Sequence, residues 1–483
     1  MDSSFVLVLF GATGDLAKNK LIPALFTLFT KKELPQDFFI FGFSRREMTD
    51  EKFGEFFKDE ILKQVQDDKK EAWADFAKHL HYQQGMFDEE KGYLELVEKL
   101  KSCDEKLGAC ITRIFYLATP PSNYDAILQN LINTKLSEGC GQGSSKWTRI
   151  AIEKPFGKDL ATAKALDSTL ATIFEERQIF RVDHYLGKET IQNLLVFRFA
   201  NGIFDPIWNK QYIDHVQITW SEEKGVGTRG SFFDGVGLLR DTAQNHLMQL
   251  YAAIAMEMPR SFSKEGVRDV RAAAIKDIIP IESEQVGERV VRGQYNGYRE
   301  EKNVEPNSST ETFVALKFFV NSERFRDVPF YLRAGKKLAK SETTISLVFR
   351  QTCHILFKEI GCPEDGNVLT IRIQPNEGIS LRIIAKTPGP HLALQPTEMH
   401  FNYKEQFGTQ GTGAYEKVLT DIITGDQMLF NRSDELEASW TFIEKITQGW
   451  ENPESKVLPY EVGSNGPEKA KELIEKDGKK WIE

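Results

Sequence analysis

Phe5-Val6-Leu7-Val8-Leu9-Phe10-Gly11-Ala12-Thr13-Gly14-Asp15-Leu16-Ala17-Lys18 is the stretch that decides the fold. Phe5 to Phe10 is an unbroken apolar run, the pattern of a parallel strand covered on both faces. Small residues follow at once, spaced Gly-x-x-Gly-x-x-Ala, and Lys18 to Phe29 then carries apolar residues at helical spacing. The reading is strand, glycine turn, helix. Small residues in such a turn let backbone amides approach a pyrophosphate at a helix N-terminus, where the dipole favours an anion. Gly11, Ala12, Thr13, Gly14, Asp15, Leu16, Ala17 and Lys18 are therefore candidate dinucleotide contacts. A plain strand-to-helix turn is the competing reading of the same residues.

Working outward, Phe38 to Phe43 reads as a second strand that ends in Ser44-Arg45-Arg46. An NAD-binding domain would place a carboxylate there for the ribose 2′-hydroxyl. An arginine instead pairs with a 2′-phosphate, so NADP is the expected cofactor and Arg45 its main selective contact. Residues 50–106 read as amphipathic helix with a short strand near His81. Ile111 to Ala118 is another strand, closed by Thr119-Pro120-Pro121, and Tyr124 beyond it is placed either against the cofactor or in the core. Arg149 to Glu153 is a strand followed by Lys154-Pro155-Phe156-Gly157. Asp159 to Glu176 is a helix, and Ile179 to Val182 a last strand. This alternation predicts an α/β Rossmann domain over residues 1–183.

The densest chemistry sits where that last strand ends: Arg181-Val182-Asp183-His184-Tyr185-Leu186-Gly187-Lys188-Glu189. Ligands bind at the carboxyl ends of strands in open α/β sheets. His184 and Lys188 are four apart and would share a face on a helical turn. With Tyr185 they could hold a compact dianion such as a phosphate monoester. Asp183 offers a carboxylate to orient a histidine from elsewhere in the chain. Lys154, at a neighbouring strand end, could donate to a sugar oxygen or to the nicotinamide amide. A solvated turn with surface ion pairs is the bland alternative.

After residue 190 the pattern changes. Tyr212 to Glu222 alternates as a strand, and Gly225 to Gly237 reads as a loop. Leu238 to Ala255 reads as a helix with Asp241 and Asn245 on one face and His246 adjoining. Glu222 and Asp241 could accept from sugar hydroxyls. Strand-type runs then dominate: Thr312 to Val320, Val328 to Leu332, Thr343 to Arg350, Val368 to Gln374, Ile379 to Ala385 and Met399 to Tyr403. Lys336 sits just past the second of these. Helices are expected at 415–424 and 435–447. The prediction for residues 184–483 is an α+β domain with a large, mainly antiparallel sheet. One of its faces is left free as an oligomer surface.

Composition narrows the classes. Among 483 residues, 41% are hydrophobic and 28% charged, which fits a soluble globular chain of two to three domains. The net charge of −9 argues against a nucleic-acid surface. Five cysteines, Cys103, Cys110, Cys140, Cys353 and Cys362, lie far apart without a Cys-x-x-Cys pair. They predict reduced thiols in a cytoplasmic protein and no metal site. No signal peptide and no membrane span is expected.

The string Asp183-His-Tyr-Leu-Gly-Lys-Glu189, with Gly11-Ala-Thr-Gly-Asp-Leu-Ala17, Glu153-Lys-Pro155, Gln244-Asn-His-Leu247 and Gly463-Ser-Asn-Gly-Pro467, resembles the glucose-6-phosphate dehydrogenases along nearly the whole chain. The resemblance implies oxidation of glucose 6-phosphate at C1 to the lactone with NADP, the first oxidative step of the pentose phosphate pathway. It implies that His246 is the catalytic base and that Asp183 is its partner. Lys154, His184, Tyr185, Lys188, Glu222, Asp241 and Lys336 would be substrate contacts, and Tyr124 and Lys154 cofactor contacts. It also implies a homodimer or homotetramer. Arg333, Arg372 and Gln374 resemble part of a second NADP site found in some eukaryotic members. Glu342 and Ser346 stand where that site has basic residues, so it is not expected here. The alternatives are a glucose–fructose-type oxidoreductase, which also carries Glu-Lys-Pro, and a catalytically inactive sugar-phosphate sensor.

Overall fold

The computed structural model describes residues 4–64, 71–139, 148–363, 366–408, 413–451 and 455–482. The chain gathers into two compact units. One comprises Met1–Gly187 with Ser263–Glu265 and Thr412–Ser433, and the other takes the remainder.

The first unit is built on six parallel strands: β1 (Phe5–Phe10), β2 (Phe38–Ser44), β3 (Leu80–Gln84), β4 (Thr112–Leu117), β5 (Thr148–Glu153) and β6 (Ile179–Val182), in the order β3-β2-β1-β4-β5-β6. That is the doubly wound dinucleotide-binding order, with the strand order reversing beside β1. β1 pairs with both β2 and β4 and is wholly buried, which is why all six of its residues are apolar. The segment Thr412–Ser433 returns to this unit. Its helix Ala414–Thr424 puts Val418, Leu419 and Ile422 into the same core cluster as Phe5, Leu7, Leu25 and Phe26. Arg149 secures the end of that helix by donating to the carbonyls of Ile422 at 2.8 Å and Ile423 at 2.5 Å.

The second unit carries nine strands: β7 (Ile213–Ser221), β8 (Val290–Tyr295), β9 (Phe313–Phe318), β10 (Phe330–Gly335), β11 (Glu342–Phe349), β12 (Val368–Gln374), β13 (Gly378–Lys386), β14 (Leu394–Asn402) and β15 (Val457–Tyr460). Their order is β14-β13-β12-β11-β7-β10-β9-β8-β15. Among the described residues, only the β10–β7 and β15–β8 strand pairs of this sheet are parallel. The expected large, mainly antiparallel sheet is thus the observed one. β14 lies at an edge with most of its residues exposed, including Met399 at 60%.

Three local expectations are corrected. The helix read over Leu238–Ala255 is wound as a π-helix over Leu239–Leu247 and as an α-helix only over Met248–Ala255. Residues 184–187 form turns, and Lys188 is an extended helix N-cap rather than part of a shared helical turn with His184. Cys353 and Cys362 are joined in a disulfide, so the cysteines are not all reduced thiols, while Cys103 is buried and free. The bonded cysteines lie nine positions apart, and the intervening turn brings their Cα atoms to 5.9 Å. Cys140 and residues 65–70 of the charged helical run lie outside the described residues. Among the described residues, no helix is long and apolar enough to cross a membrane.

Candidate active site

In the first unit the glycine turn sits at the carboxyl end of β1. Gly11 has φ +82°, and a Cβ there would lie 2.6 Å from the Ala118 carbonyl oxygen and 2.8 Å from the Thr119 methyl. Only glycine fits, because the backbone must pass against the end of β4 in a left-handed conformation. The Gly11 amide donates to the Phe43 carbonyl at 3.0 Å, and Thr13 shares a hydrogen bond with Ser44 at 3.0 Å. The turn is therefore tied to the end of β2, where Arg45 and Arg46 stand exposed. The Arg46 guanidinium lies 5.9 Å from the Phe56 ring centroid and the Lys18 ammonium 5.7 Å from it. Small residues, exposed arginines and a helix beginning at Ala17 fit a phosphorylated dinucleotide.

The ends of β4, β5 and β6 hold a second cluster. The Glu153 carboxylate is buried and accepts from the Tyr116 hydroxyl at 2.6 Å and the Tyr415 hydroxyl at 3.2 Å. Burial pushes its carboxyl up to about 7, against the two tyrosine hydrogen bonds and the Lys154 charge. Tyr124 is buried and donates to the Glu153 carbonyl at 3.1 Å, which pins the strand end from which Lys154 projects. Asp183 is 1% exposed and accepts the Tyr185 amide at 3.0 Å. The His184 ring lies parallel to that of Tyr415, 5.9 Å away, and edge-on to Tyr185 at 5.1 Å. A Cβ on Gly187 would meet the Ala414 carbonyl at 2.8 Å, so the turn packs against the returning segment. Arg181, the first residue of the motif, is buried in ion pairs with Asp167 and Glu176 and serves the fold.

The second unit holds Lys188, Glu222, Asp241, His246 and Lys336. Lys188 donates to the side-chain oxygen of Gln374 at the end of β12. The Lys336 ammonium is 2.7 Å from Glu222 and lies over the rings of Trp220 at 5.2 Å and Phe233 at 5.6 Å. Buried against aromatic faces, it is held in one place rather than swinging in solvent. Asp241 is paired with Arg229 at 3.3 Å. π winding displaces backbone carbonyls from their usual partners. The Asn245 amide takes up one of them, donating to the Asp241 carbonyl at 3.1 Å. Its side-chain oxygen accepts the His246 amide at 2.6 Å, and His246 itself is buried.

Sequence reasoning missed four participants: Tyr116, Tyr415, Gln374 as the partner of Lys188, and Arg229. Gln374 carries a usable signal, a polar side chain at a strand end just before a proline. The tyrosines carry none, because an aromatic in an apolar strand or helix reads as core. Of the residues that resemble a second NADP site, Arg333 is buried 4.5 Å over the Trp481 ring and hydrogen-bonded to Thr219.

Two family models match this chain. One is described as glucose-6-phosphate dehydrogenase, NAD binding domain, over residues 8–193, and the other as the C-terminal domain of the same enzyme, over residues 195–482. The chain is 42% identical to the glucose-6-phosphate 1-dehydrogenase of Chlamydia pneumoniae, across 99% of this chain and 95% of that one. It is 40% identical to that of Aggregatibacter actinomycetemcomitans, across 98% and 96%. A solved glucose-6-phosphate dehydrogenase in complex with its substrate glucose-6-phosphate superposes with a TM-score of 0.90 at 34% identity, covering 100% of this chain and 99% of that chain. The enzyme from Mycobacterium avium superposes with a TM-score of 0.85 at 32% identity, covering 99% of both.

Proposed function

From the premise that this chain belongs to the glucose-6-phosphate dehydrogenase family, we infer that it oxidises glucose 6-phosphate at C1 to 6-phosphoglucono-1,5-lactone, with a pyridine nucleotide as hydride acceptor. The carrying observation is the intact string Asp183 to Glu189 at the carboxyl end of β6, in a chain matched end to end by the family. NADP is the proposed nucleotide, held by residues 11–18 and by Arg45, whose charge suits a 2′-phosphate. The bound nucleotide supplies the acceptor for the C1 hydride. The proposed division of labour gives residues 1–183 to the dinucleotide and residues 184–483 to substrate and subunit contacts.

His246 takes the proton of the C1 hydroxyl, and an imidazole suits this because its pKa lies near the working pH. Asp183 orients that ring and stabilises the imidazolium it becomes. His184, Tyr185 and Lys188 bind the 6-phosphate, and this remote binding energy places C1 for reaction. Lys154, Lys336, Glu222 and Asp241 fix the sugar. The protein acts in the cytoplasm as a homodimer or homotetramer, and the exposed β14 edge supports assembly through the large sheet.

The test is one absorbance assay of nucleotide reduction that crosses glucose 6-phosphate and glucose with NADP and NAD. Reduction of NADP only with the sugar phosphate is the expected result. Equal rates with free glucose would favour the glucose–fructose type, and nucleotide binding without reduction would favour a sensor. His246→Asn lowers kcat by roughly 10²- to 10⁴-fold, the usual effect of losing a general base. A near-normal kcat would remove His246 from that role.

A further inference from the structure

Resting on the reading of His246 as base and Lys336 as substrate ligand, we propose that Glu311 is a positioning residue that sets the helix bearing Asp241 and His246 in register with the strand end bearing Lys336.

The π-helix Leu239–Leu247 has no side-chain cap of its own at Leu238. Helix N-termini leave amides without intrahelical partners. Here a residue 72 positions along the chain supplies two acceptors: the Glu311 carboxylate takes the Leu239 amide at 3.0 Å, and the Glu311 carbonyl takes the Leu238 amide at 3.1 Å. The carboxyl group fills the notch left by Gly237, where a Cβ would lie 2.1 Å from its oxygen and where φ is +77°. A negative or strongly polar group at that end also complements the helix dipole. Glu311 is 4% exposed, and burial pushes its carboxyl up to about 7. The neighbouring charges of Arg240 and Arg292 oppose that rise.

The residues on either side of Glu311 complete the connection. The Thr310 hydroxyl accepts the Gly235 amide at 2.8 Å and steadies the glycine loop ahead of the helix. The Thr312 carbonyl accepts the Lys336 amide at 3.0 Å, and the Tyr460 hydroxyl donates to the Lys336 carbonyl at 2.7 Å. The Thr312 amide donates to Gly293 at 2.8 Å, anchoring the tripeptide to the sheet. Thr310-Glu311-Thr312 is therefore a shared reference for two elements that both carry candidate substrate contacts. A misplacement of about 1 Å at such an element can cost about 100-fold in rate.

The test uses the full-length enzyme and three substitutions. Glu311→Asp keeps the charge but withdraws the carboxylate from the Leu239 amide. Glu311→Ala removes it, and Glu311→Gln restores a neutral acceptor of the same length. The expected result is a kcat reduced about 10- to 100-fold in the Asp and Ala variants, with unchanged NADP affinity by fluorescence titration and kcat recovered to within about 3-fold in the Gln variant. Each variant is then combined with His246→Asn. If Glu311 acts through His246, the loss that a Glu311 substitution adds is smaller in the His246→Asn background than in the wild type. Additive losses, or a normal kcat in Glu311→Asp while His246→Asn is impaired, would overturn the inference. A normal kcat in His246→Asn would instead bring down the reading of the base. Glu311→Asp decides the matter if Glu311→Ala does not fold.

Discussion

Glu153→Gln isolates a pH-dependent element of stability in the dinucleotide-binding unit. Burial raises the Glu153 carboxyl from an ordinary 4.5 to about 7, and two tyrosine hydroxyls remain bound to it. The folded state holds this proton more tightly than the unfolded chain does. The associated stability is therefore fully present below about pH 4.5 and is lost as the pH rises through about 7. The shift corresponds to about 3 kcal/mol between those limits. Glutamine is neutral throughout and can still accept from Tyr116 and Tyr415, so it lacks this dependence. Scanning calorimetry of both proteins from about pH 5 to about pH 8 reads the difference, because other titrating groups cancel between them. About 2.5 kcal/mol of that change falls between about pH 5 and about pH 8, so at about 2–4 °C per kcal/mol for a unit of this size the wild-type Tm should fall relative to the variant by about 5–10 °C across that range. Parallel Tm curves would refute the reasoning, as would a wild type that gains on the variant at high pH.

Lys188→Ala should raise KM for glucose 6-phosphate far more than for free glucose, by about 10-fold or more for a lost charge-assisted contact; equal losses on both sugars would take Lys188 out of the phosphate site. Arg45→Ala should raise KM for NADP by about 10-fold while leaving that for NAD within about 2-fold; an unchanged ratio would return Arg45 to the surface. Gly11→Ala places a methyl against the Ala118 carbonyl in a left-handed backbone, so nucleotide affinity and Tm should both fall, with a stability cost of about 2–4 kcal/mol. A calorimetric trace identical to the wild type would show that the turn has room to adjust.

The parts of the molecule that were legible in the sequence are those set by neighbours along the chain. A strand, a small-residue turn and a helix announce themselves within fourteen residues, and the arginines after Ser44 follow from where the second strand stops. Seven strands of the large sheet were legible as runs of strand-type residues because their periodicity is local, whereas β8, β15 and the strand order were not. The π winding that carries His246 was invisible, since the spacing of apolar residues from Leu238 to Ala255 serves either helix. Tyr415 shows the other limit. An amphipathic helix reveals that one face is buried but not what buries it, so the bond from this helix to Glu153 had no local sign. The Cys353–Cys362 bond escaped for a similar reason, because spacing alone does not say whether the turn between two thiols brings them together.

The returning segment bears on how the protein is made. Val418, Leu419, Ile422 and Phe430 complete the apolar cluster around β1, yet more than two hundred residues of the other unit are synthesised before them. During translation the six-stranded sheet must wait with one patch of its interior bare, at a stage when exposed apolar surface invites aggregation. A fragment ending at Gly187 should therefore be sticky when expressed alone. The same fragment joined by a short linker to residues 413–433 should be soluble, which would make the last part of this unit to leave the ribosome the part that closes it.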